Sequence, residues 1–139
     1  MFQFQRRLVL GGFIFKVYPV QIAKAGFSDH LSETQIEPTY VYLKVGESIT
    51  EAFGRYGALI DQLTFGITTN YVNPDDPPRF QSAGGANGHA LFDATPPPNL
   101  NGHCALLSLE GQTGGDQNQY IQALQFNWSC VGKPTHYVH

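Results

Sequence analysis

Charge is scarce in this chain. Only 14% of its 139 residues are Asp, Glu, Lys or Arg, against roughly a quarter in ordinary soluble domains. The eight Lys and Arg are scattered and the net charge is −3. A protein that neutralises a phosphate backbone needs clustered cations, so nucleic acid is not an expected partner. Long apolar runs are missing as well: no stretch reaches the roughly 18 residues that would suggest a membrane-spanning helix. Sustained 3.6-residue periodicity is equally hard to find, and a turn or two near Ser28–Glu37 is the single credible helix. The five histidines, His30, His89, His103, His136 and His139, lack the spacing of metal ligands. Neither a metal nor another cofactor is expected. Gly-x-Ser-x-Gly, His-Glu-x-x-His and phosphate-cradling glycine patterns do not occur. No strand presents two acids to one face for glycoside hydrolysis, so the expectation is a protein that is not an enzyme.

Turns and aromatics are plentiful, with 15 Gly, 9 Pro, 10 Phe and 7 Tyr. Proline and glycine cluster in Asn70–Arg79, Ser82–Gly88 and Ala94–Gly102, which marks these segments as surface connections. Between them, apolar residues alternate with period two in Phe13–Val17, Tyr40–Val45, Leu59–Phe65, Ala105–Leu109 and Tyr120–Phe126, and His89–Asp93 begins another such run. Many short strands at fairly regular spacing point to an all-β sandwich, barrel or prism. The length suits one domain over residues 1–139, and no linker-like stretch divides it.

Cys104 and Cys130 lie at the outer ends of two strands that the Gly114–Gln119 loop would join. In a hairpin they fall opposite one another, within reach of a disulfide in an oxidising compartment. The other reading is a pair of buried thiols acting as small apolar residues. Arg6-Arg7, Leu8–Phe15 and Ala23-Lys24-Ala25 have the outline of a secretory signal. Lys16 and Pro19 interrupt it, and a first strand or hairpin turning at Gly11-Gly12 is the preferred reading of the same residues. Asn127-Trp128-Ser129 fits the glycosylation acceptor pattern of a secreted eukaryotic protein. A secreted or cell-surface setting is favoured, with the cytoplasm as the alternative.

One stretch occurs twice, and internal repeats carry weight for architecture. The first copy runs Gly54-Arg55-Tyr56-Gly57-Ala58-Leu59-Ile60-Asp61-Gln62-Leu63-Thr64-Phe65. The second begins Gly111-Gln112-Thr113-Gly114, continues through an inserted polar loop, Gly115-Asp116-Gln117-Asn118-Gln119, and resumes at Tyr120-Ile121-Gln122-Ala123-Leu124-Gln125-Phe126. The strand is kept and its acid has become Gln122. Gly57 permits a tight turn that leaves the next amides free to donate, and Asp61 can bring an anionic acceptor beside them. Adjacent sugar hydroxyls, each both donor and acceptor, suit that mixture. Ala83-Gly84-Gly85-Ala86-Asn87-Gly88 lets backbone approach a ligand closely, and the two loops are expected to form opposite walls of one shallow site.

With Thr69-Asn70 and Phe92 in the same order, these segments resemble the jacalin-related lectins over about residues 40–128. The resemblance implies an all-β fold, a β-prism I of three Greek-key sheets about a pseudo-threefold axis. It implies metal-independent binding of mannose- or galactose-type glycans. The family's Gly-x-x-x-Asp loop matches Gly57–Asp61, with Ala58, Leu59 and Asp61 as implied sugar contacts, and its glycine-rich loop matches Gly84-Gly85 with Asn87 beside them. The site this family uses most often falls on the last repeat, where the acid is replaced by Gln122 and the turn is lengthened; Asp116, Gln119 and Tyr120 are candidates to line a remodelled site there. Affinity for one sugar is expected to be weak, so glycan binding would rely on a homo-oligomer or a larger assembly.

Other readings stand beside this one. Asp61 can simply cap its own turn, Gly84–Gly88 can be only a connection, and Arg55 and Tyr56 can pack across the turn. Trp128 can close the end of a sheet or stack on a sugar. Loss of the acid at Gln122 favours a structural or protein-interaction module that has shed sugar binding, and a third reading is a small hydrolase using Asp61 with another acid.

Overall fold

The computed structural model describes residues 12–17, 20–26, 39–69, 77–85, 88, 90–96, 102–114 and 120–132. Eight strands account for most of them: β1 (Gly12–Val17), β2 (Val20–Gly26), β3 (Ser48–Tyr56), β4 (Ile60–Thr68), β5 (Arg79–Gly84), β6 (Ala90–Asp93), β7 (Gly102–Gly114) and β8 (Tyr120–Gly132). Among the described residues there is no helix, and every strand pairing is antiparallel. The all-β expectation holds, and the absence of 3.6-residue periodicity is its cause.

β1–β2 and β7–β8 are two-stranded, and between them in sequence lies a four-stranded sheet of order β5-β4-β3-β6. Here β3, β4 and β5 follow one another and β6 returns beside β3, which is the strand order of a Greek key. The central strand β4 is buried along nearly its whole length, whereas burial on the edge strands β5 and β6 alternates with exposure. The inner face sends Ala52, Ile60, Leu63 and Phe65 into a core that Ile121 of β8 completes. Phe13, Val41, Ala83, Phe92, Leu124 and Trp128 pack around that core. Each fully buried aliphatic side chain contributes about 2 kcal/mol by leaving water.

Three hairpins share one irregularity. In β3–β4, Arg55 pairs with Gln62 and Tyr56 with Ile60, so Asp61 is an extra residue on the second strand. In β7–β8, Gln112 pairs with Ala123 and Thr113 with Ile121, leaving Gln122 extra. In β1–β2, Phe15 pairs with Ala23 and Lys16 with Gln21, leaving Ile22 extra. A bulge of this kind bends its strand and re-aims a side chain. The second and third hairpins also share a bulge on the first strand, at Thr50 and at Leu107. The sequence repeat is thus a repeat of register, with Gly54 opposite Leu63 and Gly111 opposite Leu124.

Two strand expectations change. Residues 39–47 form no strand in spite of the alternation in Tyr40–Val45; Tyr40, Tyr42, Leu43 and Val45 are all exposed, and the chain turns at Val45-Gly46, where Gly46 has a φ of 88°. Alternation predicts a strand only where one side finds a core along its length, and here Val41 alone reaches the core while Leu43 and Val45 on its side stay exposed. Gly12 lies within β1 instead of at a turn, because the hairpin reverses between Val17 and Val20. The short helix expected near Ser28–Glu37 falls outside the described residues.

The hairpin placing Cys104 opposite Cys130 is present, and a disulfide joins the pair. Trp128 lies within β8 instead of at a sheet end; it packs on the core and its Nε1 donates to the Ala94 carbonyl at 2.9 Å. Asn127 of the glycosylation pattern sits inside β8, where its Nδ2 donates to Ser108 Oγ at 3.1 Å. No helix among the described residues is long and apolar enough to cross a membrane.

Candidate functional site

The turn of the second hairpin spans Gly57–Leu59. Its closing bond runs from the Gly57 amide to the Leu59 carbonyl at 2.9 Å, so this amide serves the turn itself. Ala58 at the tip is exposed, and Gly57 and Leu59 are half-buried. Ile60 anchors the turn in the core, and the bulge then places Asp61 where regular alternation would have put the following residue.

The consequence is that Asp61 is fully buried, at 0% exposure. Two glycine-bearing segments close around it. The end of β5 lies along its main chain, with Gly84 opposite Gln62 and the Gly85 amide donating to the Asp61 carbonyl at 2.9 Å. Gly84 adopts a φ of 91°, a conformation that L side chains rarely take. Gly88 lies against the carboxylate: a Cβ there would come within 2.9 Å of Asp61 Oδ2 and of the Tyr56 amide nitrogen, and within 2.8 Å of Arg55 Cβ. Gly88 is itself buried.

The turn and the glycine segment therefore do converge, but as packed neighbours with Asp61 between them instead of as two facing walls. Asp61, Gly84, Gly85 and Gly88 come together, and Gly57, Ala58 and Leu59 form the turn just before Asp61 in the chain. Asn87 lies outside the described residues, as do Asp116 and Gln119. Tyr56, at 42% exposure, stands beside the turn and meets the Phe92 ring edge-on with centroids 6.2 Å apart. That contact packs Tyr56 against the neighbouring strand β6 instead of across its own turn, and it leaves much of the phenol at the surface.

At the third hairpin, Tyr120 opens β8 opposite Gly114 and is half-buried. Gln122 holds the bulge position of Asp61 but is exposed, with its Cβ 2.9 Å from where a Gly114 side chain would begin. First strands of the two hairpins are offset by 57 positions and second strands by 61, so the third turn is four residues longer. Gly114 and Gln122 correspond in this way to Gly57 and Asp61, yet the longer turn lets Gln122 stay at the surface.

An ion pair stands apart from these turns. Arg79 Nε and a terminal nitrogen each meet the Glu47 carboxylate at 3.0 Å, and the Arg79 guanidinium also donates to the Tyr42 carbonyl. These bonds, with a further one from the Lys44 amide, hold the Glu47 pKa down to about 2, and the same contact raises that of Arg79. The ion pair ties the irregular segment before β3 to the start of β5, and no pattern in the sequence points to it. Among the described residues, no group of three or more His, Cys, Asp or Glu is placed to hold a metal.

Compared with known protein families, curated proteins and solved structures, the chain matches none.

Proposed function

We propose that the chain is a metal-independent carbohydrate-binding domain of the jacalin-related type, a β-prism built on three Greek-key sheets, that takes mannose- or galactose-type glycans at the turn of its second hairpin. The observation that carries the reading is one buried acid, just past the Gly57–Leu59 turn, closed over by Gly84, Gly85 and Gly88. The same bulge in three hairpins supports a threefold construction, and the strand order of the central sheet agrees with it.

In this reading the sugar meets the exposed rim at Ala58, with Gly57, Leu59 and Gly85 beside it and the Tyr56 ring at its edge. Asp61 forms the floor and fixes the rim by packing between both segments. A rim of so few groups binds one sugar weakly, and useful avidity comes from several sites held together in an oligomer or larger assembly.

A glycan array of the purified chain tests this, run beside Asp61→Ala and Ala58→Trp. Binding to mannose- or galactose-type glycans is expected, with loss in both variants; Ala58→Trp blocks the exposed tip without touching the core. Binding that survives both substitutions would remove this turn from the site.

One observation favours a second reading, a protein-interaction module on the same scaffold. Asp61 is wholly buried, and Tyr40, Tyr42, Phe80 and Leu91 are large apolar side chains at the surface. An array inert toward all glycans, with the chain folded, is the result expected of such a module.

A further inference from the structure

The outer face of the four-stranded sheet holds a carboxylate among aromatic rings. Cross-strand register puts Glu51, Gly66 and Phe80 in one row over β3, β4 and β5, and Phe53, Thr64 and Ser82 in the next. Gly66 has no side chain to fill the middle of its row. Into that space come the Glu51 side chain, with Cβ 2.9 Å from the point where a Gly66 Cβ would stand, and the Phe80 ring, with Cε1 3.1 Å from it. Phe53 reaches over from the adjacent row to meet Phe80 edge-on, with centroids 5.8 Å apart and planes at 63°. Both rings stay exposed, Phe53 at 37% and Phe80 at 49%.

Glu51 is half-buried, and its Oε2 is covered and without a hydrogen-bond partner among the described residues. A carboxylate withdrawn from water without a partner is costly. The cations on adjoining strands do not serve it. Arg79 is bound to Glu47, and Arg55 stands four residues along β3, roughly 13 Å away at strand spacing. Instead the Glu51 side chain and a ring carbon of Phe80 both border the space over Gly66. Phe53 and Phe80 are thus partly exposed aromatic rings on the same face as this carboxylate.

We propose that this face is a binding site for an organic ammonium group, held by cation–π contact with Phe80 and Phe53 and by the charge of Glu51. A compact, weakly hydrated cation gains from the aromatic rings what a hydroxylated ring cannot, and it supplies a positive charge that Glu51 lacks among the described residues. The site lies on the outer face, independent of the glycan reading.

Choline chloride is the probe. Titrated into the full chain and followed by heteronuclear NMR, it is expected to shift Glu51, Phe53, Gly66 and Phe80 saturably in roughly the millimolar range, with sodium chloride at equal concentration producing no such shift. The neutral carbon isostere of choline, Glu51→Gln and Phe80→Leu are each expected to weaken binding about tenfold. The two variants report separately, so failure of one to fold leaves the other as the test. Equal binding of the neutral isostere, unchanged binding in a folded Glu51→Gln protein, or absence of saturable shifts overturns the proposal. Shifts at these residues with methyl mannoside but not choline overturn it too, since they make the face a sugar platform.

Discussion

Asp61 joins the local chemistry of this protein to its packing. A carboxylate at 0% exposure between two glycine-bearing segments belongs to the fold before it belongs to any ligand. Asp61→Ala is therefore expected to cost about 1–3 kcal/mol in urea unfolding, the usual range for stripping a buried polar group from its surroundings. Gly88→Ala strikes the same contact from the other side. Its new Cβ would press on Asp61 Oδ2, the Tyr56 backbone and Arg55 Cβ, and a loss of about 1–3 kcal/mol is expected from such overpacking. Glu47 offers a pH readout. Its folded pKa of about 2 lies below the ordinary value of 4.5, so the stabilisation from its pair with Arg79 is complete above the unfolded value and disappears as pH falls through the folded one. Glu47→Gln is expected to lower thermal stability at neutral pH and to make no difference once the pH falls below the folded value, which melting curves across that window would reveal.

At the scale of elements, the bulged hairpin is the recurring unit. Its second strand carries one extra residue near the turn, and chemistry at that position differs among the three hairpins: Ile22, Asp61 and Gln122. The acid is visible in the sequence as a difference between two copies. The bulge is not, because an extra residue in a strand leaves the apolar pattern readable on both sides of it. The third hairpin is further held by Cys104–Cys130, which closes a separation of 26 residues. In the chain-entropy view, a loop of that size contributes about 3 kcal/mol. The Cys104→Ser, Cys130→Ser double variant is expected to lose about that much in denaturant unfolding, and reduction of the native protein should produce a matching loss.

Across the whole molecule, the central sheet and the third hairpin meet in one core. Ile121 of β8 is buried among Ala52, Ile60, Leu63 and Phe65 of β3 and β4, while the Phe92 and Phe126 rings stack 6.4 Å apart between β6 and β8. Ile121→Ala is expected to cost about 2–5 kcal/mol and to lower the midpoint of both elements together, as near-UV dichroism and hydrogen exchange would show. By itself the sequence determined the all-β class, the positions of β1, β4, β7 and β8, the hairpin joining the two cysteines, and the pairing of a glycine turn with an acid. These follow from local causes: side-chain alternation, turn chemistry and sequence symmetry act within a few residues. Only the tertiary structure decided that Tyr40–Val45 is not a strand, that β6 pairs with β3, that Asp61 is enclosed, and that Glu51 and Phe80 share the space over Gly66. Each of these depends on which surfaces meet across distant parts of the chain, and burial and electrostatic environment are properties of that meeting.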